Sequence, residues 1–385
     1  MNITDAITYI GVDDPNLELF ENQYMLERGM AYNSYLVSDD KIAVMDTVDF
    51  SKKDEWLGNL ETALGNKKPD YLVVQHMEPD HSGSIEEFLK KYPGTTIVCS
   101  DKAKTFIGQF FKSLPTDEFH IVKNCDTLSL GSRELTFITA PMVHWPEVIL
   151  TYDSKDKVLF SADAFGKFGI READEEWDCE ARRYYFNICG KYGAQVQNVL
   201  KAAAKLDIEI IAPLHGPILT QNLNHYIDLY DTWSSYKAED KGVYIACASI
   251  HGHTYEAALK LKEILESKGE KIVELANLGS EDIAEAVEDG FRYDRIVLMC
   301  CTYDGGIFLP MADYLTHLGA KGFQNRTAAI VENGTWAPTA GRQIRERLEG
   351  MKNITVLDQM VTIRSAMTDA NIKELEELAD ALIKA

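Results

Sequence analysis

The segment His76-Met77-Glu78-Pro79-Asp80-His81 carries four potential metal ligands within six residues. Alternate side chains of an extended chain point the same way, so His76, Glu78 and Asp80 can converge on one side. A following loop lets His81 turn back to join them. Two imidazoles and two carboxylates exceed what one structural zinc needs, and they suit a pair of iron or manganese ions before zinc. The alternative is a polar loop that caps the next helix.

Three further candidate ligands lie downstream, each after an apolar, strand-like run: His144, Asp163 and His215. A buried aspartate at the end of such a run is costly unless it is paired or bound to metal. Taken singly, each has a plain alternative as a hydrogen-bonded core histidine or as a turn cap. Seven such residues at the ends of separate strands favour one shared site.

The elements that must position these ligands are short strands interleaved with helices. A hairpin is predicted from strands 35–37 and 42–45 around the turn 38–41. Further strands are predicted at 71–76, 95–99, 135–139, 148–152, 157–161 and 208–212, and helices near 51–64, 84–91, 101–112, 178–204 and 221–236. This pattern predicts a layered α/β domain, followed by a short charged linker at 237–242.

After the linker the pattern becomes a regular alternation. Strands are predicted at 243–248, 271–275, 295–300, 327–331 and 354–357, and helices near 255–267, 281–289, 310–318, 339–348 and 369–383. Five strands alternating with five helices indicate a doubly wound parallel sheet. The predicted domains are therefore 1–240 and 241–385.

The loop after the first strand of the second domain reads Ser249-Ile250-His251-Gly252-His253-Thr254 and leads into a helix. Such a loop can hold a phosphate with backbone N–H groups and hydroxyls, helped by the dipole of the helix. It has no P-loop lysine and no G-x-G-x-x-G pattern, which favours a monophosphate such as FMN over ATP or NAD. Helix capping by Thr254 alone is the alternative.

Two later loops follow the third and fourth strands of this domain, at the edge where doubly wound folds bind ligands. They read Cys301-Thr302-Tyr303-Asp304-Gly305-Gly306 and Glu332-Asn333-Gly334-Thr335-Trp336-Ala337. Their glycines allow the backbone to approach a flat ring, and Tyr303 or Trp336 could stack on it.

Composition excludes several classes of protein. The formal net charge of -22 over 385 residues disfavours nucleic acid and anionic membranes as partners. No apolar run reaches the ~18 residues that a membrane span needs, and no signal peptide is visible. The seven cysteines include no C-x-x-C pair, which argues against a zinc ribbon or a cysteine-ligated iron–sulfur cluster. We therefore expect reduced cysteines and a cytoplasmic location.

The metal motif resembles that of the metallo-β-lactamase fold, whose usual form is H-x-H-x-D-H. Glu78 stands here in place of the second histidine. With His144, Asp163 and His215 in order, the set resembles the diiron site of the flavodiiron proteins (A-type flavoproteins), over essentially the whole chain. The later loops resemble those of flavodoxin, except that Asp304 replaces an expected Asn and Cys301 an expected Pro.

This resemblance implies an N-terminal metallo-β-lactamase-like αββα sandwich and a C-terminal flavodoxin-like, five-stranded parallel sheet. It also implies two irons bridged by Asp163. One iron would be held by His76, Glu78 and His144, and the other by Asp80, His81 and His215. The cofactor-binding residues would be those of the three loops, namely 249–254, 302–306 and 333–337.

Two tyrosines are candidates for a place beside the irons. Tyr24 falls where the family can place a His or Tyr, and Tyr192 is another candidate pocket hydroxyl. Packing alone is the alternative for both. The stretch between Asp163 and His215 is some ten residues shorter than the family pattern, around 171–177, which puts the rim of the site in doubt.

The implied function is electron transfer from a donor through FMN to the diiron site, which reduces dioxygen to water and/or nitric oxide to nitrous oxide. The irons and the flavin carry the redox chemistry, so no side chain is predicted as an acid–base catalyst. The implied donor is a rubredoxin-type protein or a reduced deazaflavin coenzyme, because no rubredoxin-type or NAD-binding extension is visible. The implied assembly is a head-to-tail homodimer or a dimer of dimers.

Two other interpretations remain open at this point. The first is a zinc-dependent hydrolase of the metallo-β-lactamase class with a flavodoxin module as regulator. Glu78 in place of a histidine argues against it. The second is an electron carrier or scaffold with degenerate metal ligands, against which the seven intact ligand types argue.

Overall fold

The computed structural model describes residues 1–114, 116–172 and 176–385. They form two compact units, one of Met1–Tyr185 with Ala194–Asp231 and one of Phe186–Gly193 with Thr232–Ala385. The domain limits 1–240 and 241–385 stay a prediction. The expected shortened loop at 171–177 includes Ala173, Asp174 and Glu175, which lie outside the described residues. Within the described ranges, every helix is too short or too polar to cross a membrane.

The chain up to Ser234 alternates short strands with helices. The strands are β1 (Ile7–Tyr9), β2 (Val12–Asp14), β3 (Leu19–Phe20), β4 (Tyr24–Met25), β5 (Met30–Tyr32), β6 (Tyr35–Ser38), β7 (Ile42–Met45), β8 (Tyr71–Val74), β9 (Thr96–Cys99), β10 (Phe119–Ile121), β11 (Thr127–Ser129), β12 (Glu134–Thr139), β13 (Ile149–Asp153), β14 (Val158–Phe160) and β15 (Ile210–Ala212). The helices are α1 (Lys53–Leu64), α2 (Pro79–Ser82), α3 (Ile85–Lys91), α4 (Asp101–Phe110), α5 (Trp177–Ile188), α6 (Gly193–Ala203) and α7 (Leu223–Ser234).

Two mixed sheets dominate the first unit, with strand orders β1-β6-β7-β8-β9-β10 and β11-β12-β13-β14-β15. One apolar cluster contains residues of both sheets, including Val73 and Val98 of the first and Phe137 and Phe160 of the second. Side chains alternate between the faces of a strand, so each sheet buries one face against the other. This is the predicted sandwich. The predicted hairpin is confirmed, with Tyr35 opposite Met45 across β6 and β7.

The prediction of one continuous helix over 178–204 is wrong. The structure has α5, a 3-10 turn at Gly190–Tyr192, and then α6. A close approach at the break requires a glycine, because a Cβ on Gly193 would lie 2.3 Å from the carbonyl oxygen of Ser234. The hydroxyl of Tyr236 donates to the Gly190 carbonyl at 2.7 Å and accepts from the Gly193 amide at 3.2 Å.

The second unit contains the predicted doubly wound sheet. Its strands are β16 (Asp240–Ala248), β17 (Val273–Asn277), β18 (Tyr293–Tyr303), β19 (Gly306–Ile307), β20 (Arg326–Asn333) and β21 (Ile354–Ile363), and its helices are α8 (His253–Ser267), α9 (Ile283–Arg292), α10 (Leu309–Ala320), α11 (Ala340–Glu349) and α12 (Asp369–Lys384).

The strand order β17-β16-β18-β20-β21 joins parallel neighbours throughout. This confirms the five-stranded parallel sheet, to which β19 adds a short antiparallel pairing with β18. Parallel strands direct their carboxyl ends to one edge, so the loops after β16, β18 and β20 meet there.

Candidate metal centre and cofactor pocket

One group of potential ligands consists of His76, Glu78, His144 and Asp163. The Nε2 atoms of His76 and His144 lie 3.3 Å apart. Glu78 Oε2 lies 3.3 Å from His76 Nε2 and 3.0 Å from His144 Nε2. Asp163 Oδ2 lies 3.3 Å from the first imidazole and 3.1 Å from the second. These four donors therefore surround one point.

A second group consists of Asp80, His81 and His215. The two Nε2 atoms lie 3.0 Å apart, and Asp80 Oδ2 lies 3.3 Å from each of them. The other oxygen of Asp163, Oδ1, lies 3.2 Å from His81 Nε2 and 3.8 Å from His215 Nε2. Asp163 therefore turns one oxygen to each group, as a carboxylate that bridges two metal ions must.

The first motif divides between the two groups because its backbone changes course. Strand β8 ends at Val74, short of the predicted 76, and Glu78 still has an extended backbone (φ -58°, ψ 139°). Pro79 then starts the single-turn helix α2, since its fixed φ suits the first helical position. The helical turn carries Asp80 and His81 to the second group.

Buried partners hold this turn in place. The amide and hydroxyl of Thr47 donate to the His81 carbonyl at 2.9 and 2.7 Å. Asp46 accepts from the amides of Gln75 and His76 at 2.7 and 3.3 Å. Burial raises the pKa of Asp46 to about 6. The Asp46-Thr47 pair thus fixes the backbone on both sides of the motif.

The donor set has the character of a cation site. Both carboxylate oxygens of Asp80, and Nδ1 of His81, are buried without a hydrogen-bond partner in the part of the chain that the structure describes, and the buried oxygens of Asp163 face histidine nitrogens at 3.1–3.8 Å. Burying a carboxylate without a counter-charge is costly. Burial raises the pKa of Asp80 to about 7. Metal ions would satisfy these orphaned donors, so the residues fit a dinuclear centre.

Protons take the place of metal in the metal-free protein. Burial opposes the charging of His144, but Asp163 and Glu78 outweigh it and raise its pKa to about 9. Hydrogen bonds from His144 and His76 overcome the effect of burial on Glu78 and lower the pKa of that carboxyl. Metal binding must therefore displace protons from the site.

This proton binding predicts the pH dependence of stability in the metal-free protein. The folded-state pKa values of His144 (about 9) and Asp80 (about 7) lie above their unfolded values, so both contributions are lost as pH rises. We expect the free energy of unfolding to fall by on the order of 3 kcal/mol between pH 6 and pH 9. Urea unfolding at the two pH values measures this difference.

The metal-loaded protein is the control. Metal competes with protons for the same donors, so the stability that metal adds should grow over this pH range. A metal-free protein that is equally stable at pH 6 and pH 9 would contradict the assignment of the protons to these side chains.

Aromatic rings surround the second group. The ring centroids of Phe20, Tyr184 and Tyr32 lie 5.5, 5.5 and 6.3 Å from that of His215. Tyr24 is buried, with its ring centroid 5.9 Å from that of Phe168. Tyr192, by contrast, belongs to the second compact unit, whereas all seven potential ligands belong to the first.

Sequence reasoning missed two glutamates of this region. Glu147 Oε1 lies 2.8 Å from Nδ1 of His76. Glu21, in the turn between β3 and β4, lies beside Glu78, and burial together with that carboxylate raises the pKa of Glu21 to about 7. Neither residue stands in a ligand motif. The only sign of Glu147 in the sequence was its position three residues after the candidate ligand His144.

The three loops of the second unit enclose a cavity of about 730 Å³. All the predicted cofactor-binding residues line it except Gly252 and Gly306. Cys301 and Ser365 line it as well, and Ser365 had not been predicted. It comes from the loop after β21, where its hydroxyl lies 2.8 Å from that of Thr335. No lysine or arginine is among the described lining residues.

One end of the cavity has the features of a phosphate site. Helix α8 begins there, after Gly252 in the left-handed region (φ 92°) that favours glycine. The Ser249 hydroxyl accepts from the Gly252 amide at 3.1 Å, and Thr254 is buried in the first helical turn. Free N–H groups at a helix N-terminus suit a phosphate.

The other end presents aromatic side chains. Trp336 is 88% exposed and Tyr303 is 45% exposed, so both have faces that a flat ring could cover. The Thr302 hydroxyl instead accepts from the amides of Thr339 and Ala340 at 2.9 and 3.2 Å, where it caps α11. The Asn333 side chain bonds the backbone of Ser365.

Comparison with known proteins agrees with this geometry. The family model "ODP family beta lactamase" matches residues 30–216. The anaerobic nitric oxide reductase flavorubredoxin of Vibrio vulnificus is 29% identical over 363 residues, which cover 90% of this chain and 72% of that protein.

Solved structures match over almost the full length. The rubredoxin oxygen:oxidoreductase of Desulfovibrio gigas superposes with a TM-score of 0.92 at 25% identity, covering 100% of this chain and 98% of that one. The flavodiiron protein of Giardia intestinalis gives a TM-score of 0.92 at 26% identity, covering 99% and 95%. With both units matched and the other six potential ligands gathered around Asp163, the chain is similar in fold and in candidate metal ligands to the flavodiiron proteins over almost its full length.

Proposed function

We propose that this protein reduces dioxygen to water and/or nitric oxide to nitrous oxide, with electrons that pass from a donor through FMN to a diiron site. The broader activity, that of an oxidoreductase with a diiron centre, is supported by the similarity to flavorubredoxins and flavodiiron proteins. The observation that carries the proposal is the position of Asp163, with one oxygen facing each group of donors. Such a carboxylate can hold two metal ions close enough to act on one small molecule.

The cofactors are FMN and two non-haem irons. In our proposal His76, Glu78 and His144 would hold one iron, Asp80, His81 and His215 would hold the other, and Asp163 would offer one oxygen to each. When bound, the irons supply two reducing equivalents and the flavin replenishes them. Three carboxylates in the set favour iron over softer metals, because anionic oxygen donors stabilise the ferric state.

The chain's own residues position the metal ligands and shield the site from water. The Asp46-Thr47 pair fixes the backbone of the ligand motif. The rings of Phe20, Tyr32 and Tyr184 form an apolar wall beside His215. In the second unit the N-terminus of α8 would bind the FMN phosphate, while Trp336 and Tyr303 would contact the ring.

The names of similar proteins support either gas as the substrate. The Vibrio vulnificus protein is named for anaerobic nitric oxide reduction, and the Desulfovibrio gigas protein for oxygen reduction with rubredoxin. We further propose a rubredoxin-type protein or a reduced deazaflavin coenzyme as donor, and a head-to-tail homodimer or dimer of dimers as the assembly.

Anaerobic turnover tests the proposal. The iron-loaded, FMN-loaded protein is reduced chemically and mixed with dioxygen or with nitric oxide, and flavin reoxidation is followed by absorbance. We expect rapid reoxidation by at least one gas, with nitrous oxide as the product in the second case. Reoxidation that does not depend on iron would refute the proposal.

The zinc hydrolase interpretation is not favoured, because Glu78 supplies a carboxylate where a histidine is usual in that class. The hydrolase interpretation would become the better one if the purified protein held zinc, did not react with either gas and hydrolysed a thioester or phosphodiester. The interpretation as a carrier with degenerate ligands is countered by the convergence of all seven side chains.

A further inference from the structure

Glu147 is a buried glutamate directly behind one of the potential iron ligands. Its Oε1 lies 2.8 Å from Nδ1 of His76 and accepts from the Met77 amide at 2.9 Å. The side chains of Glu147 and His76 are both fully buried. Its other oxygen, Oε2, has no hydrogen-bond partner among the described residues. The Glu147 carboxylate is therefore buried, and its only hydrogen bonds among the described residues are to the ligand motif, at His76 and Met77.

The Nδ1 atoms of His215 and His81 have different surroundings from that of His76. Nδ1 of His215 lies 2.8 Å from the carbonyl oxygen of Ala31, which carries no net charge. Nδ1 of His81 is buried without a hydrogen-bond partner within the described part of the chain. Both histidines belong to the second group, so a carboxylate supports an imidazole of the first group and neither of these two.

We propose that Glu147 is a positioning residue that fixes His76 as the Nδ1–H tautomer and strengthens its Nε2 as a donor to the metal of the first group. This inference rests on the proposed function, since it presumes that iron occupies that group. The Met77 amide holds Oε1 in place, so Glu147 sets the orientation of the ring. Nε2 then faces Glu78, His144 and Asp163.

The physical effect is a charge-assisted hydrogen bond. A carboxylate that accepts the Nδ1 proton makes the imidazole a more basic ligand and favours the more highly charged metal ion. Loss of such an outer partner typically costs about 10–100-fold in metal affinity. The two irons should therefore be bound unequally, and the first should be more sensitive to Glu147.

Glu147→Gln tests the charge while it keeps an oxygen acceptor for both hydrogen bonds. We expect about 10–100-fold weaker binding of one iron out of two in titration with a chelator. The Mössbauer signal of that iron should change, and the signal of the other should not. Glu147→Asp, which keeps the charge, should retain more iron than Glu147→Gln.

Glu332→Gln is the matched control. Glu332 is also a buried glutamate that accepts a backbone amide, from Gly341 at 2.9 Å, but it lies in the second unit. Its replacement should leave iron binding unchanged.

The outcomes separate this inference from the proposed function. Wild-type protein that takes up no iron refutes the proposed function. Wild-type protein with two irons, beside a Glu147→Gln protein that holds both with the same affinity and spectra, refutes the role of Glu147 alone. Loss of both irons together in Glu147→Gln also refutes it, because the effect would then be structural. If neither Glu147 variant folds, equal chelator affinity and indistinguishable Mössbauer signals for the two wild-type irons refute it.

Discussion

Asp163→Asn should deprive the protein of both irons and slow the reduction of either gas by about 100-fold or more. Asp163 faces both groups of donors, with Oδ2 3.1 Å from His144 Nε2 and Oδ1 3.2 Å from His81 Nε2. An amide keeps the shape but offers only one neutral oxygen, so it cannot bridge two cations. Iron analysis and stopped-flow reoxidation of the flavin measure the two effects.

The control for this variant is Asp70→Asn. The Asp70 carboxylate accepts the Ile42 amide at 2.8 Å in the same unit and lies outside both donor groups. Its replacement should leave the iron content at the wild-type value. An Asp163→Asn protein that keeps two irons and a normal rate would remove the basis of the proposed function.

Ser249→Ala combined with Thr254→Val should weaken FMN binding by about 100-fold or more. Both residues line the cavity at the N-terminus of α8. A hydrogen bond to a charged group contributes about 1.5–3 kcal/mol, and no lysine or arginine among the described lining residues can compensate for two lost bonds. Fluorescence titration of the FMN-free protein measures the dissociation constant.

Thr316→Val provides the control for the loop variant. Its hydroxyl bonds the Ala312 carbonyl within α10, away from the cavity. The loop variant should keep its iron, because the proposed metal ligands all lie in the first unit. Unchanged FMN affinity in the double variant would place the phosphate elsewhere.

Local sequence was sufficient to predict much of the molecule. The alternation of strands and helices after residue 243 predicted the parallel sheet, because a regular periodicity reflects which faces are buried. The loops at 249–254, 302–306 and 333–337 were predicted to form one site from the rule that ligands bind at the carboxyl edge of such a sheet.

Other features depend on contacts between distant parts of the chain. The break between α5 and α6 arises where Gly193 meets the Ser234 carbonyl, and the helical periodicity of 178–204 carries no sign of it. Ser365 reaches the cavity because β21 lies beside β20 at the same sheet edge. Glu21 lies beside Glu78 although 57 positions separate their numbers.

The candidate metal ligands were chosen from the sequence alone, since their residue types and their places after apolar strands are local properties. Their division into two groups was decided by tertiary structure. The turn of α2 after Pro79 separates Asp80 and His81 from His76 and Glu78, and the packing of two sheets brings Asp163 between them. The support of His76 by Glu147 was likewise decided there, because a hydrogen bond between residues 71 positions apart exists only once the core has packed.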